Sequence, residues 1–252
     1  MATALGIDVG GSGIKGAPVD LDNGTLAAER FKVLTPKPAT PQACAEVIEQ
    51  VIDHFDPDPG TAIGLTVPAP VVHGHIPFMA NLDPSWVGLD ADHFFSERFG
   101  RAVTLINDAD AAGVAEMAFG AGRDHDGLVV MTTLGTGIGT ALFQDGVLVP
   151  NTELGHIQID GHAAETRASA GYRERKGLGY RRWGKRLQAY YSALEKLLWP
   201  DLFIVGGGIS RKHDKFLPLL HLRTPIVPAA LRNEAGIIGA AMVAARTPAT
   251  KD

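Results

Sequence analysis

The 252-residue sequence has a single cysteine, Cys44, so no disulfide can form within the chain and no cysteine-rich metal cluster is available. No apolar run approaches ~18 residues, and the N-terminus lacks a basic-then-apolar pattern. Neither a membrane span nor a secretory signal is therefore expected, which makes the cytoplasm the expected compartment. Positive charge is not in excess: the net charge is -5, which argues against a dedicated nucleic-acid binder while allowing a local basic patch. Low-complexity segments and disordered linkers are absent. Hydrophobic content of 45% and charged content of 20% are those of a globular chain long enough to bury a sizeable core in one large domain or two lobes.

Glycine, by contrast, is abundant, with thirty residues. The stretch Ile7-Asp8-Val9-Gly10-Gly11-Ser12-Gly13-Ile14-Lys15-Gly16 follows an apolar strand, Ala4 to Ile7, and concentrates four glycines in a turn. Glycine brings no side chain to pack and costs entropy to fix, so the turn suits a close approach of backbone amides to an anion. Asp8, just before it, would repel an anion and is placed to act on a metal or its waters. Gly11 to Gly16 also matches the dinucleotide fingerprint, but that motif should open a helix. Here Ala17-Pro18-Val19-Asp20-Leu21 alternates and ends in the turn signal Asp22-Asn23-Gly24, which reads as a hairpin. A purely structural hairpin remains open for this stretch alone.

A second stretch repeats the plan. Val129 to Leu134 is an apolar strand, Gly135-Thr136-Gly137 a turn, and Ile138 to Phe143 an alternating strand. Two such hairpins suggest two related lobes. Thr40-Pro41 starts a helix in which Val47, Ile48, Val51, Ile52 and Phe55 recur at helical spacing, and Cys44 falls there as a small core residue. Strands are expected at Thr61–Val67, Val103–Ile106 and Leu202–Val205. Helices are expected at Asp90–Phe99, Ala109–Phe119, from Trp183 to Leu198, and at Ala235–Ala245. Alternating strands and helices, with a hairpin leading each half, give α/β architecture with mixed sheets. The lobe boundary is expected at Asn107-Asp108.

Several residues carry chemistry. Asp108 stands where a strand ends and a helix begins. It is either a helix N-cap or a carboxylate held ionised by the helix dipole at the ligand-gathering end of a sheet. Glu153-Leu154-Gly155-His156 offers a carboxylate and an imidazole suited to several hydroxyls; a His-Glu metal site lacks supporting spacing. Asn81 and Asp83, in a loop with Trp86, add further polar groups. Gly206-Gly207-Gly208 marks either close packing or a further ligand approach. Two phosphate-type turns with hydroxyl-binding residues describe phosphoryl transfer to an alcohol, catalysed mainly by positioning and charge stabilisation.

Asp8 to Lys15, Asn107-Asp108, Thr133 to Gly139, Glu153 to His156 and Gly206 to Ile209 together resemble the ROK family of repressors and sugar kinases, over essentially the whole chain. The resemblance implies a two-lobed, actin-like ATPase (ribonuclease H-like) fold. Its small lobe would be residues 1–107, with a C-terminal helix 235–252 packing back on it, and its larger lobe 108–234. Thr152 to His156, Ile159 to His162 and Leu222 to Ala229 are similar to the branch of glucose 6-kinases that use polyphosphate, ATP or both. An ATP-only hexose kinase is the alternative, as is a sugar-sensing protein without activity.

By the same resemblance, Asp108 would be the general base on the C6 hydroxyl. Asn81, Asn107, Asp108, Glu153, His156 and Glu165, the last in an element similar to the family's Glu-x-x-Ala-Ser, would bind glucose. Asp8, Gly10, Gly11, Ser12, Gly13, Lys15, Thr133, Gly135, Thr136 and Gly137 would contact the phosphate donor, and Gly207 and Gly208 a nucleotide. Mg²⁺ is the expected cofactor, oriented by Asp8 through water. Many family members hold zinc with three cysteines after the Gly-His pair; Gly161 to Glu165 has none, so no zinc site is expected. The chain begins at the first strand, so the repressors' DNA-binding helix-turn-helix is not expected, and a homodimer is. Finally, Arg167, Arg173, Arg175, Lys176, Arg181, Arg182, Lys185 and Arg186 stand against Glu174 alone, a local +7 in a chain of -5. Arg181, Arg182 and Lys185 are candidates for holding polyphosphate, with a solvated helix face as the bland alternative.

Overall fold

The computed structural model describes residues 2–247. Two compact units emerge, one of residues up to Ala115 together with Glu234 onward, the other Glu116–Asn233. The division falls inside a helix, eight residues beyond the boundary expected at Asn107-Asp108.

The first unit is built on a six-stranded mixed sheet. Strands β1 (Thr3–Gly10) and β2 (Gly13–Asp20) form the glycine hairpin, and β3 (Thr25–Leu26) and β4 (Phe31–Val33) pair with β2. After α1 (Pro41–Phe55), β5 (Ile63–Val67) joins β1 in parallel. Then α2 (Ala91–Phe99) leads to β6 (Val103–Asn107), parallel to β5, which runs directly into α3 (Asp108–Phe119). The caps follow local chemistry. Thr40 Oγ1 accepts from the Ala43 amide, and Asp90 from that of His93, while Gly100 closes α2 at φ 62°. Cys44 is buried in α1, and burial pushes its thiol up to about 11, which leaves it an inert core residue.

The second unit repeats the hairpin plan in a five-stranded mixed sheet. Strands β7 (Leu128–Leu134), β8 (Ile138–Gln144) and β9 (Val147–Val149) are antiparallel neighbours. A short pair, β10 (Gln158–Ile159) and β11 (His162–Ala163), precedes the helices α4 (Glu165–Ala168), α5 (Ala170–Arg175) and α6 (Tyr180–Leu198). Then β12 (Leu202–Gly206) and β13 (Ile226–Pro228) extend the sheet in parallel beyond β7. Trp183, Leu187, Tyr190, Tyr191 and Leu194 of α6 are fully buried against Phe203, Phe216 and Val205.

The chain ends on α7 (Ala235–Arg246), which lies on the first unit's sheet. Of the expected helix 235–252, residues 248–252 lie outside the described residues. The alanine- and glycine-rich sequence of α7 allows very close packing. A Cβ on Gly6 of β1 would strike the Ile237 carbonyl, one on Gly64 of β5 the Ala240 carbonyl, and one on Gly239 the Ala111 carbonyl of α3. Ile237 and Ile238 are fully buried, each contributing roughly 1.5–3 kcal/mol of apolar transfer.

Candidate active site

In the first unit the expected residues gather at the carboxyl ends of β1, β5 and β6. Asp8 pairs across the hairpin with Lys15 at 2.8 Å, and the buried Thr66 hydroxyl of β5 donates to its other carboxylate oxygen at 2.9 Å. The first turn of α7 also stands beside this carboxylate, since a Cβ on Gly236 would lie 3.5 Å from Asp8 Oδ2. Asp8 and Lys15, both expected among the phosphate-donor contacts, thus form one ion pair in which the lysine neutralises the carboxylate. Thr66 was not foreseen; a lone hydroxyl residue late in an otherwise apolar strand was the available signal.

The turn itself is packed more tightly than a bare anion cradle. A Cβ on Gly13 would meet the Lys32 side chain, and one on Gly16 would lie 2.7 Å from Val51 of α1. The inference that these glycines have no packing role is corrected: the space a Cβ would need is partly filled by neighbouring side chains. The turn does approach the exposed Asn81, whose carbonyl would be 3.5 Å from a Cβ on Gly11.

At the end of β6, Asn107 is buried. Its Oδ1 accepts from the amides of Ala109 at 2.9 Å and Asp110 at 3.1 Å, and its Nδ2 donates to the Ala69 carbonyl at 3.1 Å. The capping pattern at the head of α3 therefore belongs to Asn107, and Asp108 is the first helical residue, partly exposed and beside the positive helix end. These bonds commit Asn107 to holding the strand–helix junction, leaving one amide hydrogen for a sugar. One further expectation is revised. Asp83 caps the segment Pro84–Trp86, accepting from the Ser85 amide at 2.9 Å and hydroxyl at 2.6 Å. Trp86 is fully buried, its indole donating to the Ala39 carbonyl at 2.8 Å. Both shape the Asn81 loop.

The second unit gathers a carboxylate–imidazole–carboxylate cluster. Glu153 precedes the 3-10 turn Leu154–His156, and His156 Nε2 lies 3.5 Å from Glu165 Oε1. The other Glu165 oxygen accepts from the Ile138 amide at 3.2 Å and occupies the space a Cβ on Gly137 would take. One residue thus joins the expected sugar cluster to the glycine turn. Supporting bonds fix its members: Thr140 Oγ1 accepts from the Leu154 amide and donates to the Thr152 carbonyl, and the buried Trp183 indole donates to the Ala168 carbonyl of α4. Burial raises the Glu153 carboxyl above its ordinary value; His156 pulls it back in part and Glu165 raises it further. Such a perturbed acid among converging polar groups is characteristic of functional sites.

Around the second turn, a Cβ on Gly135 or Gly208 would meet nothing within 4 Å, whereas one on Gly207, at φ 80°, would lie 2.6 Å from the Leu134 carbonyl and one on Gly206 2.7 Å from Met131. The two alternatives for the triple glycine are thus divided between its members. In the basic stretch, Arg173 stacks 4.3 Å over Tyr180 and Arg186 5.3 Å over Tyr172, so these two serve packing. Arg181, Arg182 and Lys185 are exposed on α6. Arg181 and Lys185 border a cavity of about 330 Å³ with Leu219 and His221. Among the described residues, no group of three or more His, Cys, Asp or Glu side chains is arranged to hold a metal ion, and no helix is long and apolar enough to cross a membrane.

Residues 4–175 match the model of the ROK family. The chain is 52% identical over 239 residues to the polyphosphate glucokinase of Mycobacterium tuberculosis, covering 94% of this chain and 89% of the relative. It superposes on an inorganic polyphosphate/ATP-glucomannokinase from Arthrobacter sp. strain KM with a TM-score of 0.94 and 53% identity, covering 97% and 99% of the two chains. A ROK family glucokinase from Streptomyces griseus, 24% identical, shares the fold at a TM-score of 0.81, covering 97% of this chain and 100% of its own.

Proposed function

The chain belongs to the ROK family, and from that premise we infer that it transfers a phosphoryl group from inorganic polyphosphate or ATP to glucose. It has the actin-like ATPase fold and is a polyphosphate/ATP-dependent glucokinase. The observation that carries this is the 52–53% identity to two polyphosphate-named kinases across nearly the whole chain.

In this reading Asn81, Glu153, His156 and Glu165 hold the sugar hydroxyls, with Asn107 fixing the junction that aims Asp108. Asp108 takes the proton of the C6 hydroxyl as that oxygen bonds to the terminal phosphorus. The bond from that phosphorus to the donor's next bridging oxygen breaks, and the leaving group is ADP or a chain one phosphate shorter. The backbone of Gly10 to Gly13 and of Thr133 to Gly137 positions the donor, with Lys15 and Ser12 beside the first turn and Gly207-Gly208 next to the nucleotide. Mg²⁺ would be held by Asp8 through its waters, alongside the Lys15 and Thr66 contacts of that carboxylate, together with substrate phosphates, since this ion usually keeps several waters and takes one or two carboxylates plus phosphates rather than an all-protein cage. When bound, it would neutralise phosphate charge. Arg181, Arg182 and Lys185 add a surface for the polyphosphate chain. The protein acts in the cytoplasm as a homodimer in this reading, which light scattering of the purified protein tests.

Glucose 6-phosphate formation with Mg²⁺ and either donor tests the whole. Turnover with both is expected; turnover with ATP alone would make it an ATP-only hexose kinase, and glucose binding without turnover a sensor. Reversing Arg181, Arg182 and Lys185 to glutamate is expected to weaken polyphosphate use more than ATP use. Added salt should reduce the polyphosphate reaction more, since exposed contacts are screened over ~8–10 Å.

A further inference from the structure

Strand register lays four polar side chains in one row across the first unit's sheet. Thr66 of β5 stands opposite Asp8 of β1, Asp8 opposite Lys15 of β2, and Lys15 opposite Lys32 of β4. Residues directly opposite one another in a ladder share a face, so the row runs outward from the strand-end carboxylate to Lys32. The other face of β4 is apolar. Phe31 and Val33 pack against the first unit's core, and Phe31 stacks on His54 of α1 at 4.0 Å. Alternation along the strand therefore turns Lys32 toward the face of Asp8 and Lys15.

Lys32 also reaches the first glycine turn. A Cβ on Gly13 would strike Lys32 Cε and lie 3.3 Å from its Nζ. Three residues on, the buried Thr35 donates its hydroxyl to the Gly10 carbonyl. The segment that carries Lys32 thus grips both ends of the turn and sets the ammonium beside it.

The charges of the row do not balance. Asp8 is its one acid, with one oxygen paired to Lys15 at 2.8 Å and the other accepting from Thr66 at 2.9 Å. Among the described residues no carboxylate lies within 4.0 Å of Lys32. Like charges directly opposite in a ladder are destabilising, so Lys15 and Lys32 carry a cost that no protein anion offsets. A lysine on a peripheral strand can serve simply to block edge pairing. That role needs only an exposed charge, whereas this ammonium is drawn over the glycine turn.

We propose that Lys32 is a further donor-binding residue, whose ammonium contacts phosphate oxygens of the donor at the Gly10–Gly13 turn. It supplies there the positive charge that Asp8 takes up from Lys15. Lysine is a point charge on a flexible stem, suited to a phosphate chain without one fixed orientation. The phosphoanhydride chain is common to ATP and polyphosphate, so both donors meet this ammonium. The proposal rests on the reading of the chain as a kinase using these donors.

The test uses the full chain and three variants, checked as folded by thermal melting. Lys32→Met keeps the unbranched stem beside Gly13 and deletes the charge, and Lys32→Arg restores the charge. Lys196→Met removes an exposed lysine of α6 as the control. Calorimetry measures binding of Mg²⁺-tripolyphosphate and of Mg²⁺-ATP without glucose, and of glucose alone; turnover with each donor is measured alongside. Lys32→Met is expected to weaken both donors by about threefold to tenfold, as for a charge contact open to solvent, with donor KM rising in step. Glucose affinity should stay at the wild-type value, Lys32→Arg should recover most of the loss, and Lys196→Met should bind both donors as wild type does. Donor affinities of Lys32→Met equal to those of Lys196→Met would overturn the contact, and with wild-type turnover intact would leave the kinase reading standing. A matching loss of glucose affinity would also overturn it, since the variant would then have disturbed the fold. Donor binding weakened in Lys32→Met, but with no turnover in wild type, would support the contact and sink the kinase reading. A wild-type chain that binds neither donor would overturn both.

Discussion

The two glycine turns share one plan and use it differently. In the Gly10–Gly13 turn, space that a Cβ would need is taken by the Lys32 side chain beside Gly13, and the neighbouring Asp8 is matched by Lys15. In the turn around Gly135–Gly137, one glycine faces open space and the other faces a carboxylate, that of Glu165, which also holds the Ile138 amide. Glycine in a strand-end turn therefore marks close approach, while the surrounding fold decides whether protein, a functional side chain or a ligand makes it. The comparison also separates the turns: the first neighbours Asp8 at the end of β1, and the second is tied through Glu165 to the residues proposed to hold the sugar.

The largest expected effect belongs to the acid at the end of β6. Asp108→Asn preserves size but cannot take a proton, and turnover is expected to fall roughly 10²–10⁴-fold while glucose still binds. Calorimetric glucose binding beside a turnover assay checks this; turnover above about a tenth of wild type would remove Asp108 from the base role.

Next come two glycines that look alike in sequence. Gly64→Ala drives a methyl into the Ala240 carbonyl of α7 and is expected to cost about 1–3 kcal/mol or more by overpacking. Gly135→Ala meets nothing within 4 Å and is expected to leave stability within about 0.5 kcal/mol while altering donor KM. Denaturant melts that rank the two equally would erase the distinction between packing and approach glycines.

A smaller effect concerns pH. The Glu153 carboxyl is raised in the folded state by burial, so the native chain binds its proton more tightly than the unfolded chain. Stability tied to this group is present below the unfolded carboxylate pKa and is lost as pH rises through the raised folded value. Glu153→Gln should then stabilise the protein slightly at neutral pH, by under about 1 kcal/mol after solvent screening, while weakening glucose binding. A variant less stable than wild type at neutral pH would mean that Glu153 is a structural acid. Smallest of all, elemental analysis of purified protein should find no stoichiometric zinc; one zinc per chain would show that His156 and its neighbours recruit metal.

Helices, caps and hairpins were legible because their causes are local. Thr40-Pro41, Asp90 with Gly100, and the apolar spacing of α1 and α6 all lie within a few residues of what they determine. The site was legible in part, since Glu153, His156 and Glu165 lie close in the chain and meet in space. Asp83 was expected to add a polar group for the ligand, but its carboxylate is taken by the amide and hydroxyl of Ser85, while the buried Trp86 indole bonds Ala39, a partner far away in the chain that no local pattern indicates.

The sequence by itself determined the alternation of strand and helix, the two glycine turns and the set of polar residues from which a kinase site is assembled. Only the tertiary structure decided that Asp8 meets Lys15 and Thr66, that Asn107 rather than Asp108 caps α3, and that Glu165 reaches the second turn. It alone set Lys32 opposite Lys15 and beside Gly13. The physical reason is range: periodicity and capping act over a turn of chain, whereas these pairings depend on strand register and helix packing that bring distant segments together.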